Sequence, residues 1–338
     1  MQGVDVDELG ERATRAAQSW APGCRVDQVE PMEGGTVSLV YRAAVTNGPP
    51  EHPTTVLKVA PPGLPPVRNR DVLRQARCMA ALGGRPGVGV PEVLFTDPGQ
   101  PDDVPPFVAT SFVEGECAEP LLEARDNPMP DEIVRGRAFD AVKMLVALHR
   151  LEPGQIGLAD EPVTTLEDEV MRWTRALDTV SDEFRLGFQE CAEALHRSEP
   201  AAKGPVVIHG DYRLGNMLAE GSSVRAIIDW EIWSISDPRI DLSWFLFFTE
   251  EAGHPVAPDA HGSGMPADTE LLAAYEESMG TPVVDLEWFH ALTRYKEAAA
   301  MALIAKHMLR RDPDSEHATS MAGVCTTLIA EAHERVAG

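Results

Sequence analysis

Basic residues are scarce in this chain of 338 residues: 29 Lys and Arg stand against 54 Asp and Glu, a formal charge of −25. Binding duplex DNA, RNA or an anionic membrane needs clustered Lys and Arg, so a surface this acidic argues against all three as partners. Small cationic substrates remain compatible with it, and an acidic surface kept for solubility explains it equally well. Cysteine is sparse too. Cys24, Cys78, Cys117, Cys191 and Cys325 are odd in number and scattered, with no C-x-x-C pair. That favours free thiols in a reducing compartment over disulfides or a zinc site. Long apolar runs are missing: the longest, 244–248 and 298–305, fall well short of the roughly 20 residues that cross a bilayer. Residues 1–8 lack the basic and apolar regions of a signal peptide. A soluble, cytoplasmic protein is therefore expected, with no nucleic acid and no membrane as partner.

What is present suffices for a large core, since 43% of the residues are hydrophobic, and the length suggests about two domains or lobes. Helical periodicity covers 7–19, and 24–45 reads as two β segments around Glu33-Gly-Gly-Thr36. A strand over 54–60 is broken by the Pro-Pro-Gly-Leu-Pro-Pro run at 61–66. A helix over 70–82, stopped by Gly83-Gly84, and strands over 92–96 and 106–113 follow. Beyond Glu114-Gly115 helical patterns dominate. Residues 131–150 place Val134, Ala138, Ala141, Val142, Leu145 and Leu148 on one stripe, and further helices are predicted at 166–179, 183–198, 241–249, 268–278, 285–310 and 316–337. The reading is α+β, with a small antiparallel-sheet N-lobe at residues 1–113 and a larger, mainly helical C-lobe at 114–338.

The chemistry is concentrated in Val206-Val-Ile-His-Gly-Asp-Tyr-Arg-Leu-Gly-Asn-Met-Leu218 and Arg225-Ala-Ile-Ile-Asp-Trp-Glu231. Phosphoryl transfer requires a carboxylate to accept the proton of the attacking hydroxyl, together with an amide oxygen and a second carboxylate to hold Mg²⁺ against nucleotide phosphates. Asp211, Asn216 and Asp229 supply these groups in that order. Asp211 and Asn216 have the D-x-x-x-x-N spacing of the protein-kinase catalytic loop, and an apolar run reading as a buried strand precedes each arm. A strand-loop-strand hairpin over 206–230 is expected to bring the three together on one metal.

H-G-D-x-x-x-x-N, then I-D-W-E, then D-P-x-x-D-L at Asp237-Pro-Arg-Ile-Asp-Leu242 resembles the aminoglycoside phosphotransferase and choline kinase-like superfamily. The resemblance spans most of the chain from about Val29. Within it, His-Gly-Asp-Tyr-Arg-Leu-Gly-Asn is similar to the kinase domains associated with acyl-CoA dehydrogenases. It implies a bilobal protein-kinase-like fold, ATP and Mg²⁺ as cofactors, and a small-molecule hydroxyl as acceptor. It also implies a backbone-bonding, scaffold role for His209.

Carried over residue by residue, the resemblance makes Asp211 the base and Asn216 and Asp229 the metal ligands. Lys58, in Val56-Leu-Lys-Val59, becomes the lysine that reaches the α and β phosphates. Gly34 and Gly35, with Thr36 and Ser38, fit a hairpin lid whose amides approach those phosphates closely. Thr110, Ser111 and Phe112 fall in the adenine-pairing hinge. Arg213 stands where a protein kinase carries a loop lysine; it either neutralises charge on the γ-phosphoryl group or pairs with a carboxylate such as Glu231.

The chain departs from the pattern at Arg74-Gln75, where relatives tend to carry Arg-Glu. Gln75 cannot balance a lysine's charge, so Asp71, another carboxylate or nucleotide alone must hold Lys58. Asp237 and Asp241 read as caps or tethers of the following helix, and His149 as a helix C-terminal residue favoured by the dipole. Trp230, Trp233 and Trp244 read as core. Two acceptor classes stay open: an antibiotic-like molecule suited to an acidic C-lobe, or a hydroxyacyl-CoA contacted by Arg294, Lys296, Lys306, Arg310 and Arg311. A nucleotide-binding pseudokinase without turnover is the alternative that Gln75 motivates. The oligomeric state is not legible.

Overall fold

The computed structural model describes residues 4–32, 38–101, 103–122, 128–257 and 262–337. Contacts group these into two units, the first comprising residues up to Cys117 with 154–159 and 216–233, the second the remainder. The first unit therefore takes in two segments from beyond residue 114.

The first unit is built on a five-stranded antiparallel sheet ordered β1-β2-β3-β5-β4, with β1 at Arg25–Pro31, β2 at Leu39–Thr46, β3 at Thr54–Val59, β4 at Val93–Asp97 and β5 at Phe107–Ser111. Strand alternation divides its two faces. Tyr41, Ala43, Leu57, Val59, Phe107 and Ala109 form one core with Leu9, Ala13 and Ala17 of helix α1 (Val6–Ala17). Each fully buried side chain of the size of Leu57 contributes about 2 kcal/mol. On the opposite face Val108 packs with Val72 and Ala76 of helix α2 (Val72–Leu82). Lys58 lies on this second face, opposite Val108 in register. Helix α2 starts where the Asp71 carboxylate accepts the Arg74 N–H, and Gly84 at φ +71 lets the chain leave its end.

The second unit is mainly helical: α3 (Asp131–His149), α4 (Leu166–Leu177), α5 (Phe188–Arg197), α6 (Arg239–Phe247), α7 (Asp268–Met279), α8 (Leu286–Arg311) and α9 (Glu316–Val336). Thr165 and Asp168 form a reciprocal capping box at the start of α4. Gly280 in the left-handed region ends α7. The core gathers Trp173, Phe184, Phe188, Phe247, Phe289, Tyr295 and Leu328, drawn from most of these helices.

The expected hairpin of 206–230 is corrected. Its first arm, β6 at Val206–Ile208, pairs with β9 at Ser234–Ser236, and the second sheet joins β7 at Met217–Glu220 to β8 at Ser223–Ile227. The two apolar arms that precede Asp211 and Asp229 thus belong to separate two-stranded sheets. Val206 to Ile208 has no partner within the motif, and the residues that complete its ladder lie just after it, in a stretch that carries no strong strand signal. The long helices fall within a few residues of the expected spans, whereas 183–198 begins as a short 3₁₀ turn at Asp182–Phe184 and becomes α-helical only at Phe188.

Candidate active-site residues

In the first unit, Lys58 Nζ lies 2.8 Å from Asp229 Oδ1 and 3.0 Å from Glu231 Oε1. Gln75 does not take part: its amide donates to the Asn69 carbonyl at 3.1 Å. Asp71 is committed to capping α2. The carboxylates facing the lysine therefore come from the I-D-W-E segment, two residues apart. Asp229 achieves this in the left-handed region, at φ 64. A non-glycine residue held there is strained, and such strain persists where the surroundings over-determine it. Burial pushes the Glu231 carboxyl above its ordinary range, with the Lys58 ammonium opposing the shift. Ser38 Oγ also lies 3.5 Å from Glu231 Oε1.

The hairpin of β7 and β8 sets Asn216 beside this group. Beyond the Met217 and Ile227 pair, the Ile228 N–H donates to the Asn216 carbonyl at 2.9 Å, so Asn216 and Asp229 flank one end of the same ladder. That end is packed tightly: the Ile227 N–H donates to the Gly89 carbonyl at 2.9 Å, and a Cβ on Gly89 would stand 2.3 Å from the Arg225 carbonyl oxygen. Among the described residues no group of three or more His, Cys, Asp and Glu gathers as a metal cage. One amide and one carboxylate remain, a hard-oxygen pair that fits an ion whose shell is completed by phosphate and water, as Mg²⁺ prefers.

Of the expected nucleotide contacts, Gly34, Gly35 and Thr36 lie outside the described residues. The Thr110 carbonyl accepts from Thr55 Oγ1 at 2.8 Å, and the Ser111 N–H donates to the Glu92 carbonyl at 2.8 Å. Phe112 carries the Arg42 guanidinium 4.8 Å above its ring.

In the second unit, the loop carrying Asp211 is held from several sides. The Asp241 carboxylate accepts the His209 N–H at 2.6 Å and the Gly210 N–H at 2.8 Å. The Asp211 N–H donates to His209 Nδ1 at 3.1 Å, which gives His209 the scaffold role. Tyr212, wholly buried, donates its hydroxyl to the Ala141 carbonyl at 2.7 Å. The Asp211 carboxylate itself accepts from Trp244 Nε1 at 2.8 Å and from Arg213 Nε at 3.3 Å, both at Oδ1. Arg213 also reaches Glu119 Oε2 at 3.4 Å. Its carboxylate partners are thus Glu119 and Asp211. Asp241 sits inside the first turn of α6 and tethers the loop that carries Asp211; it does not cap its own helix. His149 is likewise tied by side-chain contacts, with Nδ1 2.8 Å from the Tyr275 hydroxyl and Nε2 3.8 Å from Asp241.

A model of the phosphotransferase enzyme family matches residues 28–277. The chain belongs to this family. Members of it are kinases that act on hydroxyl groups of small molecules. Among curated proteins, this phosphotransferase is 27% identical to human acyl-CoA dehydrogenase family member 11 over 180 residues, half of this chain but only 23% of the human protein. It therefore spans about a quarter of the length of that relative. Among solved structures, a candidate aminoglycoside phosphotransferase from Ralstonia eutropha superposes with a TM-score of 0.75 at 20% identity, covering 96% of this chain and 97% of the other. The GDP and kanamycin complex of an aminoglycoside phosphotransferase gives a TM-score of 0.60 at 18% identity, with coverage of 95% and 98%. At these identities the likeness is one of fold, and it is the kinase-like α+β fold.

The phosphotransferase carries around Asp211 a set of charged groups that its motifs do not announce. Burial raises the Glu119 carboxyl to about 7 against the pull of Arg213. Burial and the Asp211 charge raise Glu297, on α8, to about 7 as well. Arg213 loses basicity to burial but regains more from Asp211 and Glu119, and its net shift is upward. His254 is depressed to about 4 by burial and by Arg213 and Arg294. Glu119, Lys296 and Glu297 lie far from the motifs in sequence, and Trp244, two residues past Leu242, reads only as core. Asp241 could have been found, since its spacing in D-P-x-x-D-L was already singled out.

Of the late-helix cations that could contact a hydroxyacyl-CoA or equally form a solvated face, three are engaged elsewhere. Arg294 is buried, 3.0 Å from Glu331 and bonded to the Ala252 carbonyl at 2.8 Å. Lys296 is buried and bonded to the Gly210 carbonyl, and Lys306 donates to the Thr179 carbonyl at 2.6 Å. Residues spaced along one long helix point to different sides of it, and here most of them point inward or at neighbouring carbonyls.

Proposed function

We propose that this phosphotransferase moves the γ-phosphoryl group of ATP to a hydroxyl of a small molecule, with Asp211 as the base. The attacking hydroxyl forms the new P–O bond, the bond to the ADP leaving group breaks, and the hydroxyl proton passes to the Asp211 carboxylate. Lys58 binds the α and β phosphates. Mg²⁺, held by Asn216 and Asp229, would neutralise charge on the phosphates. Arg213 offsets charge on the transferring group, and Ser38, with Gly34, Gly35 and Thr36, covers the nucleotide. Thr110, Ser111 and Phe112 line the adenine.

The observation that carries the reading is the Lys58, Asp229 and Glu231 group: a strand lysine at 2.8 and 3.0 Å from two carboxylates, which meets the demand for a preorganised phosphate-binding cation. It also weakens the case for a pseudokinase, because the acid missing at Gln75 is supplied by Glu231. The test is a transfer screen with γ-labelled ATP and GTP, with and without Mg²⁺, against aminoglycosides, macrolides, amino alcohols and hydroxyacyl-CoAs. Label on an acceptor in the wild type and none with Asp211→Asn supports the reading. Transfer that survives Asp211→Asn contradicts it.

The likeness to an acyl-CoA dehydrogenase family member favours including the hydroxyacyl-CoA class as acceptor. The burial of Arg294 and Lys296 counts against the basic contacts first considered for it, and leaves Arg310 and Arg311 as the available cations on that helix.

A further inference from the structure

The Asp211 carboxylate is held by an indole, and that indole is covered by an ammonium. Lys296, on α8, places Nζ 3.6 Å from the centre of the Trp244 ring and donates a hydrogen bond to the Gly210 carbonyl. Trp244, on α6, donates Nε1–H to Asp211 Oδ1 at 2.8 Å. The peptide between Gly210 and Asp211 is thereby gripped at both ends, its carbonyl by Lys296 and its N–H by His209 Nδ1. We propose that Lys296 is a positioning residue for the transfer step, acting on Asp211 through Trp244 and through the Gly210 carbonyl. This rests on the reading of Asp211 as the base.

Two physical effects combine. A cation on the face of an indole is attracted by the ring quadrupole, most strongly when it is shielded from water. It also draws electron density from the ring, which makes the N–H a better donor to a carboxylate. Charge-assisted bonds of that kind are among the stronger hydrogen bonds in proteins. The second effect is geometric. Gly210 sits at φ +86, a backbone conformation with little steric preference of its own, so the plane of the following peptide is set by whatever binds its carbonyl. That plane fixes where the Asp211 side chain starts.

Burying an ammonium is costly, and burial does lower the basicity of Lys296, with Asp211, Glu169 and Asp241 opposing the shift. A methionine or leucine would fill the same space against Trp173 and Trp244 without that cost. A purely structural role would favour the apolar residue.

The test compares the wild type with Lys296→Met, Trp244→Phe and the double variant, in steady-state phosphate release from MgATP and MgGTP with water as acceptor, alongside Asp211→Asn. Lys296→Met is expected to lower kcat about 100-fold, the usual cost of a misplaced reacting group, with the nucleotide KM unchanged. Trp244→Phe, which keeps an aromatic ring beside the ammonium but removes the N–H with the other half of the indole, should lower kcat in the same way. The double variant should be no slower than the slower single variant.

Indole ¹⁵N–¹H spectra supply a readout that needs no turnover. The Trp244 signal, assigned by its loss in Trp244→Phe, should move upfield in Lys296→Met as its hydrogen bond weakens. Wild-type kcat in Trp244→Phe overturns the proposal, as does an unmoved Trp244 signal in a folded Lys296→Met. Should Lys296→Met not fold, Trp244→Phe alone decides. If Asp211→Asn turns over like the wild type, the base assignment fails instead. If Asp211→Asn is inactive while Lys296→Met and Trp244→Phe are normal, only the role of Lys296 is lost.

Discussion

Glu231 Oε1 lies 3.0 Å from Lys58 Nζ, so the lysine faces the segment that also carries Asp229 and not helix α2. Position 75 on α2 holds a glutamine turned toward Asn69, and the counter-charge comes from the segment that carries Asp229. Both carboxylates that face the lysine therefore depend on one short stretch of backbone, and Asp229 adopts the left-handed conformation within it.

Glu231→Gln should raise the nucleotide KM about tenfold, the effect of losing one hydrogen-bonded charge pair, while kcat changes little. Gln75→Ala should change the nucleotide KM less than about twofold, since the Gln75 amide is bonded to the Asn69 carbonyl and not to Lys58, while loss of a buried, hydrogen-bonded side chain should lower the melting temperature. Steady-state kinetics over a nucleotide series checks both. Equal effects of the two substitutions would show that the lysine depends on α2 after all.

Asp211→Asn preserves the hydrogen bond from Trp244 to a side-chain oxygen but removes the proton acceptor. A fall in kcat of about 10²- to 10⁴-fold is expected, the usual range for loss of a general base, with nucleotide binding intact. Single-turnover transfer with labelled nucleotide, together with a direct binding measurement, separates the two.

How much of this was legible depends on the range of the interaction. The long amphipathic helices and the five strands of the first sheet could be read because periodicity is a local property of the chain, and the motif carrying Asp211, Asn216 and Asp229 could be singled out because its spacing is local too. The pairing of β6 could not be, because an isolated three-residue strand gives no register and its partner, Ser234–Ser236, is as short. Glu119 comes to the loop from an irregular segment, Trp244 from α6 and Lys296 and Glu297 from α8, so only tertiary packing brings them there. Trp244 reads as core from its neighbours in sequence, and it is core; nothing in its surroundings announces that its N–H meets Asp211. Lys296 in an otherwise alanine-rich helix reads as a solvated charge until the fold turns it inward.

Asp229→Asn and Asn216→Ala each remove an oxygen ligand proposed for Mg²⁺. The Mg²⁺ concentration giving half-maximal turnover should rise in both, more in Asp229→Asn, which also takes a charge from Lys58. Chelation of divalent cations by EDTA should abolish transfer in the wild type, and added Mg²⁺ should restore it. Turnover in EDTA equal to that in Mg²⁺ would remove the metal from the reaction.

Gly89→Ala tests the packing that supports the end of the β7 and β8 hairpin. The added Cβ would stand 2.3 Å from the Arg225 carbonyl oxygen, and backbone cannot yield as a flexible side chain can. Overpacking of this kind costs about 1–3 kcal/mol. Because the Gly89 carbonyl accepts from Ile227, a shift there should also disturb Asn216 and Asp229. A lowered melting temperature with a raised Mg²⁺ requirement is expected; a lowered melting temperature alone would confine the strain to the strand.

The buried carboxyl of Glu297 gives the stability of the protein a pH dependence whose sign can be worked out. Its ordinary value of 4.5 is raised to about 7 by burial and by Asp211, with Lys296 and Arg213 opposing; His254 Nε2 also faces it at 3.8 Å. Between those two values the folded chain holds a proton that the unfolded chain has released. Stability therefore falls as pH rises through that window, and the penalty is complete above it. Glutamine at this position has no proton to lose. Glu297→Gln should unfold at nearly the wild-type temperature at pH 4.5, then gain steadily on it to pH 8, by about 5 °C for a chain of this size. Glu119 follows the same rule from its own shift to about 7, so the double variant should gain further on the wild type as pH rises, while His254 and His290, each lowered to about 4, contribute a slope of opposite sign in all of these proteins. Calorimetric melts across pH 4.5 to 8 decide the matter: parallel curves for wild type and Glu297→Gln would mean that Glu297 is ionised in the folded protein throughout, held by Lys296 and Arg213.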